Sequence, residues 1–160
     1  MPVMPEIVEG TARFEHGGMQ IAFESSRNKL QMLVHSERFG GRSLEARLDI
    51  ERSENHESLN VVVPWSPRRF QFTSKQHCLP AQGTVQWGTD TFVFEPGSAF
   101  ACLDFGRGIW PYCTTWNWAA FSGYSGSDVV GLNMGAKWTD NTGMNENGIL
   151  LDGRLYWFMP

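Results

Sequence analysis

Apolar and polar side chains alternate with a period of two along most of this chain. The alternation runs through Met19–Phe23, Leu44–Ile50, Leu59–Val63, Phe70–Thr73, Thr84–Trp87, Thr91–Phe94 and Ala99–Leu103, then Thr114–Ser122, Val129–Gly135, Ile149–Leu151 and Arg154–Phe158. Such a period sends successive side chains to opposite faces, so each run predicts a strand. The joins carry turn chemistry: Gly17-Gly18, Gly40-Gly41, Pro64 with Pro67, Gly88-Thr89-Asp90, Pro96-Gly97, Gly123 to Asp128, and Asp152-Gly153, a two-residue hairpin signal. Only Ser25–His35 offers a helical stripe, through Leu30, Leu33 and Val34. The pattern predicts an all-β, antiparallel meander closed into a lipocalin-like barrel or folded as a curled sandwich. No internal repeat and no low-complexity linker interrupts it.

The chain has 160 residues, enough for one domain and too few for two independent cores. A formal charge of −4 supplies no positive field for a nucleic-acid backbone, so nucleic acid is not an expected partner. No apolar run approaches a membrane span, and Met1 to Gly10 carries Glu6 and Glu9 in place of a basic, then apolar, leader. A cytoplasmic location is the expectation. Cys78, Cys102 and Cys113 form neither a disulfide framework nor a zinc pattern, and no metal or cofactor is expected. His16, His35, His56 and His77 are scattered and read as surface or hydrogen-bonded side chains. Arg68 and Arg69 read as a solvated edge, with a carboxylate-binding role as the alternative. Nucleophile-elbow, zinc-protease, Walker and dinucleotide motifs are all missing, and Gly106-Arg-Gly108 lacks a third glycine.

Composition shifts at mid-chain. Residues 81–160 hold six of the seven Trp and twelve of the 17 Gly, with three basic and seven acidic side chains. Isolated polar groups among aromatics must be hydrogen-bonded or functional, which directs attention to this half. Asp104-Phe-Gly-Arg-Gly-Ile-Trp-Pro-Tyr112 reads as a strand exit in which Arg107 folds back on Asp104 as a closing ion pair. The functional alternative makes Asp104 an acid or base, or Arg107 the holder of a ligand carboxylate. Trp116, Trp118 and Ala120 share a face, either as core or as a cavity wall. Val129, Gly131, Asn133 and Gly135 share another; the glycines there admit Trp rings or leave room for a ligand, and Asn133 needs an amide partner. The polar loop Lys137–Asn147 reads as turns, with Glu146, beside Asn145, as the carboxylate best placed to enter a barrel mouth.

The runs Leu103-Asp-Phe-Gly-Arg-Gly-Ile-Trp-Pro-Tyr-Cys-Thr-Thr-Trp-Asn-Trp-Ala-Ala-Phe-Ser-Gly123 and Gly131-Leu-Asn-Met-Gly-Ala-Lys-Trp-Thr-Asp-Asn-Thr-Gly-Met-Asn-Glu-Asn-Gly148 closely resemble the bacterial family named domain of unknown function 2804. The resemblance covers roughly Met19 to Leu155 and implies a β-rich fold with no established activity. Cys113 departs from a W-P-Y-R-T pattern by standing in place of Arg. Because family members continue beyond Pro160, the resemblance also implies that residues 1–160 are a shortened, single β domain lacking the family's C-terminal portion. More remotely, the architecture is similar to the paired lipocalin-like folds of carotenoid hydratases.

Three functions follow as expectations. The first is binding of a small, largely apolar molecule by Trp110, Trp116, Trp118 and Trp138, with Arg107, Tyr112, Asn133 and Asn145 as polar contacts. The second is a metal-free hydratase, isomerase or lyase in which Asp104 and Glu146 are acid and base and Tyr112 donates or orients a proton, provided the two carboxylates converge. The third is a structural portion of a larger β assembly. Its last strand, Arg154-Leu-Tyr-Trp-Phe158, is apolar enough to pair with another copy as a homodimer edge.

Overall fold

The computed structural model describes residues 9–158. Residues 1–8, most of the Met1–Gly10 segment considered above, and residues 159–160 lie outside them. The described residues contain eleven strands and no helix: β1 (Gly10–His16), β2 (Met19–Ser25), β3 (Lys29–Phe39), β4 (Arg42–Glu51), β5 (Leu59–Ser66), β6 (Arg69–Trp87), β7 (Asp90–Gly108), β8 (Asn117–Ser125), β9 (Asp128–Ala136), β10 (Gly148–Leu151) and β11 (Arg154–Trp157). The chain forms two compact units, one taking the chain up to Glu54 with Leu79–Phe100, the other Asn55–Cys78 with the chain from Ala101. The long strands β6 and β7 contribute residues to both.

In the first unit β1 to β4 form an antiparallel meander, with β6 from Ala81 onward paired to β4. The register carries the alternation across five strands. Phe14, Ile21, Val34, Ala46 and Val85 stand in one row, and Arg13, Ala22, Leu33, Arg47 and Thr84 in the next. One face of the sheet is therefore apolar and the other largely polar. The short helix expected at Ser25–His35 does not form. Its Leu30, Met32 and Val34 continue the apolar face of β3, which has hydrogen-bonded neighbours on both sides. Two flanking ladders satisfy every backbone group of such a segment, whereas an isolated helix of that length is marginal.

The second unit is built from β5, the first half of β6, the second half of β7, and a separate sheet in the order β11-β10-β9-β8. Leu59, Val61, Val63 and Trp138 form its apolar core, with Leu155 and Trp157 of β11 packed against it. Direct bonds join the two sheets: Ser122 Oγ of β8 accepts from Cys78 N of β6 at 2.9 Å, and His77 meets Asn133 of β9 at 2.9 Å. This is a sandwich of antiparallel sheets; neither sheet closes into a barrel among the described residues. The Asp152-Gly153 turn has both residues at positive φ, 48° and 81°, as a tight hairpin requires.

Two proline signals have a different outcome from the expected turns. Pro64 opposes Phe70 near the end of β5, an edge strand, where a missing N–H is tolerated. Pro96-Gly97 lies inside β7, where Gly97 takes φ 77° without reversing the chain. The separate runs Phe70–Thr73 and Thr84–Trp87 are parts of one 19-residue strand. Pro80 falls between its ladder with β5, which ends at Lys75, and its ladder with β4, which begins at Ala81.

Candidate functional site

The inner face of β6 in the second unit is polar where a sandwich ordinarily places aliphatic side chains. Gln71, Thr73, Lys75 and His77 alternate along it and all four are buried. Buried polar groups persist only when bonded, and each of these has a partner. Gln71 Oε1 accepts from Trp110 Nε1 at 2.7 Å. Thr73 Oγ1 donates to Phe105 O at 3.4 Å and lies 3.5 Å from Asp104 Oδ1. His77 Nε2 lies 2.9 Å from Asn133 Oδ1, an acceptor, so Nε2 carries the proton and Nδ1 is left buried with no hydrogen-bond partner. Burial lowers the His77 pKa below its ordinary 6.5, which keeps the ring neutral.

Lys75 is the centre of the cluster. Its Nζ is 2.7 Å from Asp104 Oδ2 and 3.4 Å from Glu146 Oε2, and 4.6 Å from the centre of the Trp118 ring. Glu146 is itself buried, and its Oε1 accepts from Trp138 Nε1 at 2.7 Å. The carboxylate fits because β9 has no side chain at Gly135: a Cβ there would collide with Oε1, Cγ and Cδ of Glu146. Gly131 is filled in the same way by Cys78 and His77, and Gly106 of β7 by the Gln71 amide. The room left at Gly131 and Gly135 is thus taken by Cys78, His77, Leu150 and Glu146.

Above this floor lies a cavity of about 430 Å³. Its walls are Trp110, Trp116, Trp118 and Trp138, and its floor includes Gln71, Thr73, Lys75, Asp104 and Glu146. Trp110 and Trp138 stack at 5.8 Å with 13° between planes, backed by Trp65, whose Nε1 donates to Trp138 O. Trp116 meets Trp110 edge-on at 6.1 Å. Asn133 Oδ1 accepts from Trp118 Nε1 at 2.8 Å and fixes that ring.

Six residues singled out from the sequence therefore share one cavity: Asp104, Glu146 and the four Trp. Four others do not line it. Tyr112 is fully exposed. Strand alternation puts Asp104 and Gly106 on the cavity side of β7 and Arg107 on the opposite face, in a shallow groove with Phe70, Phe72 and Ile109. The ion pair of Asp104 is accordingly with Lys75 instead of Arg107. Asn133 lies behind the wall, its amide spent on His77, Trp118 and the Glu146 carbonyl. Asn145 braces its own loop, accepting from Asn147 N and Trp157 Nε1 and donating to Phe158 O. Gln71, Thr73, Lys75 and His77 were not legible as site residues, although their own alternation, continued past Thr73, carries the signal.

The arrangement offers an ammonium and two carboxylates at the base of an indole-walled space, able to hold a polar group or exchange a proton. Burial raises the thiol pKa of Cys78, which makes it a poor nucleophile. Among the described residues no group of three or more His, Cys, Asp or Glu side chains is placed to hold a metal, and no helix is long and apolar enough to cross a membrane. No curated protein and no solved structure matches the chain, so the remote likeness to carotenoid hydratases gains no support. One family model does match, over residues 1–159, and the chain belongs to that family, described as Domain of unknown function (DUF2804).

Proposed function

We propose that the Trp-walled cavity of the second unit binds a small, largely apolar molecule. The carrying observation is the exposure of its walls. Trp116 and Trp118 remain 60% and 42% exposed while Gln71, Thr73, Lys75 and Glu146 of the floor are buried. A core role would require these rings to be covered. With Trp able to bury about 150–250 Å² and apolar area worth about 25 cal/mol per Å², an apolar guest covering the exposed half of each ring would gain roughly 2–3 kcal/mol per ring. Intrinsic Trp fluorescence, titrated with apolar molecules bearing neutral, acidic or basic head groups, tests the reading. A saturable shift that Trp118→Ala abolishes is expected. No shift with any member of the panel, together with a Trp118→Ala variant that is merely less stable, would remove it.

A second reading, metal-free hydration, isomerisation or elimination on the bound molecule, draws on the meeting of Asp104 and Glu146 at one ammonium. Asp104, with 45% of its side chain exposed, is the carboxylate able to reach a ligand; Glu146 would act through Lys75. Tyr112, outside the cavity, has no part in it. Product analysis of any ligand that binds separates the two readings: under the catalytic one, Asp104→Asn should stop turnover while binding remains measurable.

A further inference from the structure

Building on the binding reading, we infer that the molecule taken by this cavity is an organic cation, an apolar body carrying a protonated or quaternary amine. Three observations within the second unit carry this. The charged side chains of the lining are two carboxylates and one ammonium, so the floor holds one negative charge in excess. Lys75 is closer to Asp104, at 2.7 Å, than to Glu146, at 3.4 Å, so Glu146 is the less fully compensated of the two. An anionic head group would enter against that excess charge in a low-dielectric space.

Glu146 supplies the second observation. Its side chain is 2% exposed, Oε1 is taken by Trp138, and Oε2 makes no hydrogen bond, its charged neighbour being the Lys75 ammonium at 3.4 Å. That ammonium is shared with Asp104, so a buried oxygen still short of a hydrogen bond can accept a ligand N–H, and a second positive charge completes its compensation. The third is the wall itself. Indole faces attract cations through the ring quadrupole, and the Lys75 ammonium 4.6 Å over Trp118 already makes that interaction. Trp110, Trp116 and Trp138 extend the same surface around the space. Arg107, the side chain suited to a ligand carboxylate, is on the opposite face of its strand.

A matched series reads the charge directly: 3-phenylpropylammonium, 3-phenylpropanol and 3-phenylpropanoate, titrated at neutral pH and low salt into the full chain by calorimetry and Trp fluorescence. The ammonium is expected to bind at least tenfold more tightly than the alcohol, and the carboxylate more weakly than either, with the ammonium's advantage shrinking as salt is raised. Glu146→Gln should bring the ammonium to the alcohol's affinity and leave the alcohol within threefold. Should that variant fail to fold, Asp104→Asn, at the exposed end of the cluster, should cost the ammonium at least threefold and the alcohol nothing. An alcohol or carboxylate binding as tightly as the ammonium, or a preference that survives the folded variant, overturns the inference and leaves the binding reading standing. Failure of all three probes to bind overturns both.

Discussion

Replacing Gly135 by Ala tests whether the cavity floor depends on the fit of Glu146 into β9. Gly135 has no positive φ, so Ala adds no backbone strain and the outcome is steric. Its Cβ would fall on three atoms of the Glu146 side chain. Glu146 cannot swing aside without leaving the Trp138 indole at 2.7 Å and the Lys75 ammonium at 3.4 Å. Overpacking costs about 1–3 kcal/mol, and a lost bond to a charged group about 1.5–3 kcal/mol. Together these suggest a loss of roughly 3–5 kcal/mol, or on the order of 10 °C in Tm for a chain of this size. Urea and thermal unfolding followed by near-UV circular dichroism measure it, with exposed Ala136→Ser as the neighbouring control, expected within about 0.5 kcal/mol of the parent. A Gly135→Ala protein as stable as that control would refute the reasoning. The buried carboxylate would then have somewhere else to go.

Asn133→Leu should cost about 2–4 kcal/mol, because His77 loses its partner in a buried place and the half-exposed Trp118 loses the bond that fixes its ring, and should also blunt ligand-induced changes in Trp fluorescence; a loss below about 1 kcal/mol counts against the role assigned to this amide. His77 has its folded-state pKa lowered from 6.5, so the unfolded chain binds the extra proton first: stability is full above about pH 6.5 and falls as pH is lowered from there toward the folded value. Urea midpoints between about pH 7 and pH 5 should show that decline, and His77→Gln should flatten it. A homodimer edge at β11 would have to displace the Glu57 carboxylate, which accepts from Leu155 N on this edge strand at 2.6 Å. Glu57→Ala frees that N–H and should self-associate at lower concentration than the parent, measured by light scattering over a tenfold concentration range; identical behaviour removes the edge as an interface.

Strands and their turns were written in local chemistry. Period-two alternation specifies which side chains share a face, and Gly17-Gly18, Gly40-Gly41 and Asp152-Gly153 supply the positive φ that tight reversals demand. Local chemistry also pointed to the second half of the chain, where most Trp and a few isolated carboxylates lie, although Gln71, Thr73 and Lys75 of the cavity lining come from the first. It misplaced what depends on neighbours. Ser25–His35 reads as a helix until two flanking ladders claim its backbone, and Pro96-Gly97 reads as a turn until β7 runs through it.

The site shows the same division. Asp104, Glu146 and four Trp were recognisable because charge and indole together are chemically conspicuous. Their convergence was not, for Lys75 comes from a strand some 30 positions before Asp104 and 70 before Glu146, and no local pattern brings the three together. The face of β7, which a single residue's shift reverses, separates Asp104 from Arg107. Side-chain type was determined by the sequence alone. Which carboxylates share an ammonium, and which indoles stay open above them, was decided by long-range strand pairing and by glycines that leave room for another strand's side chains.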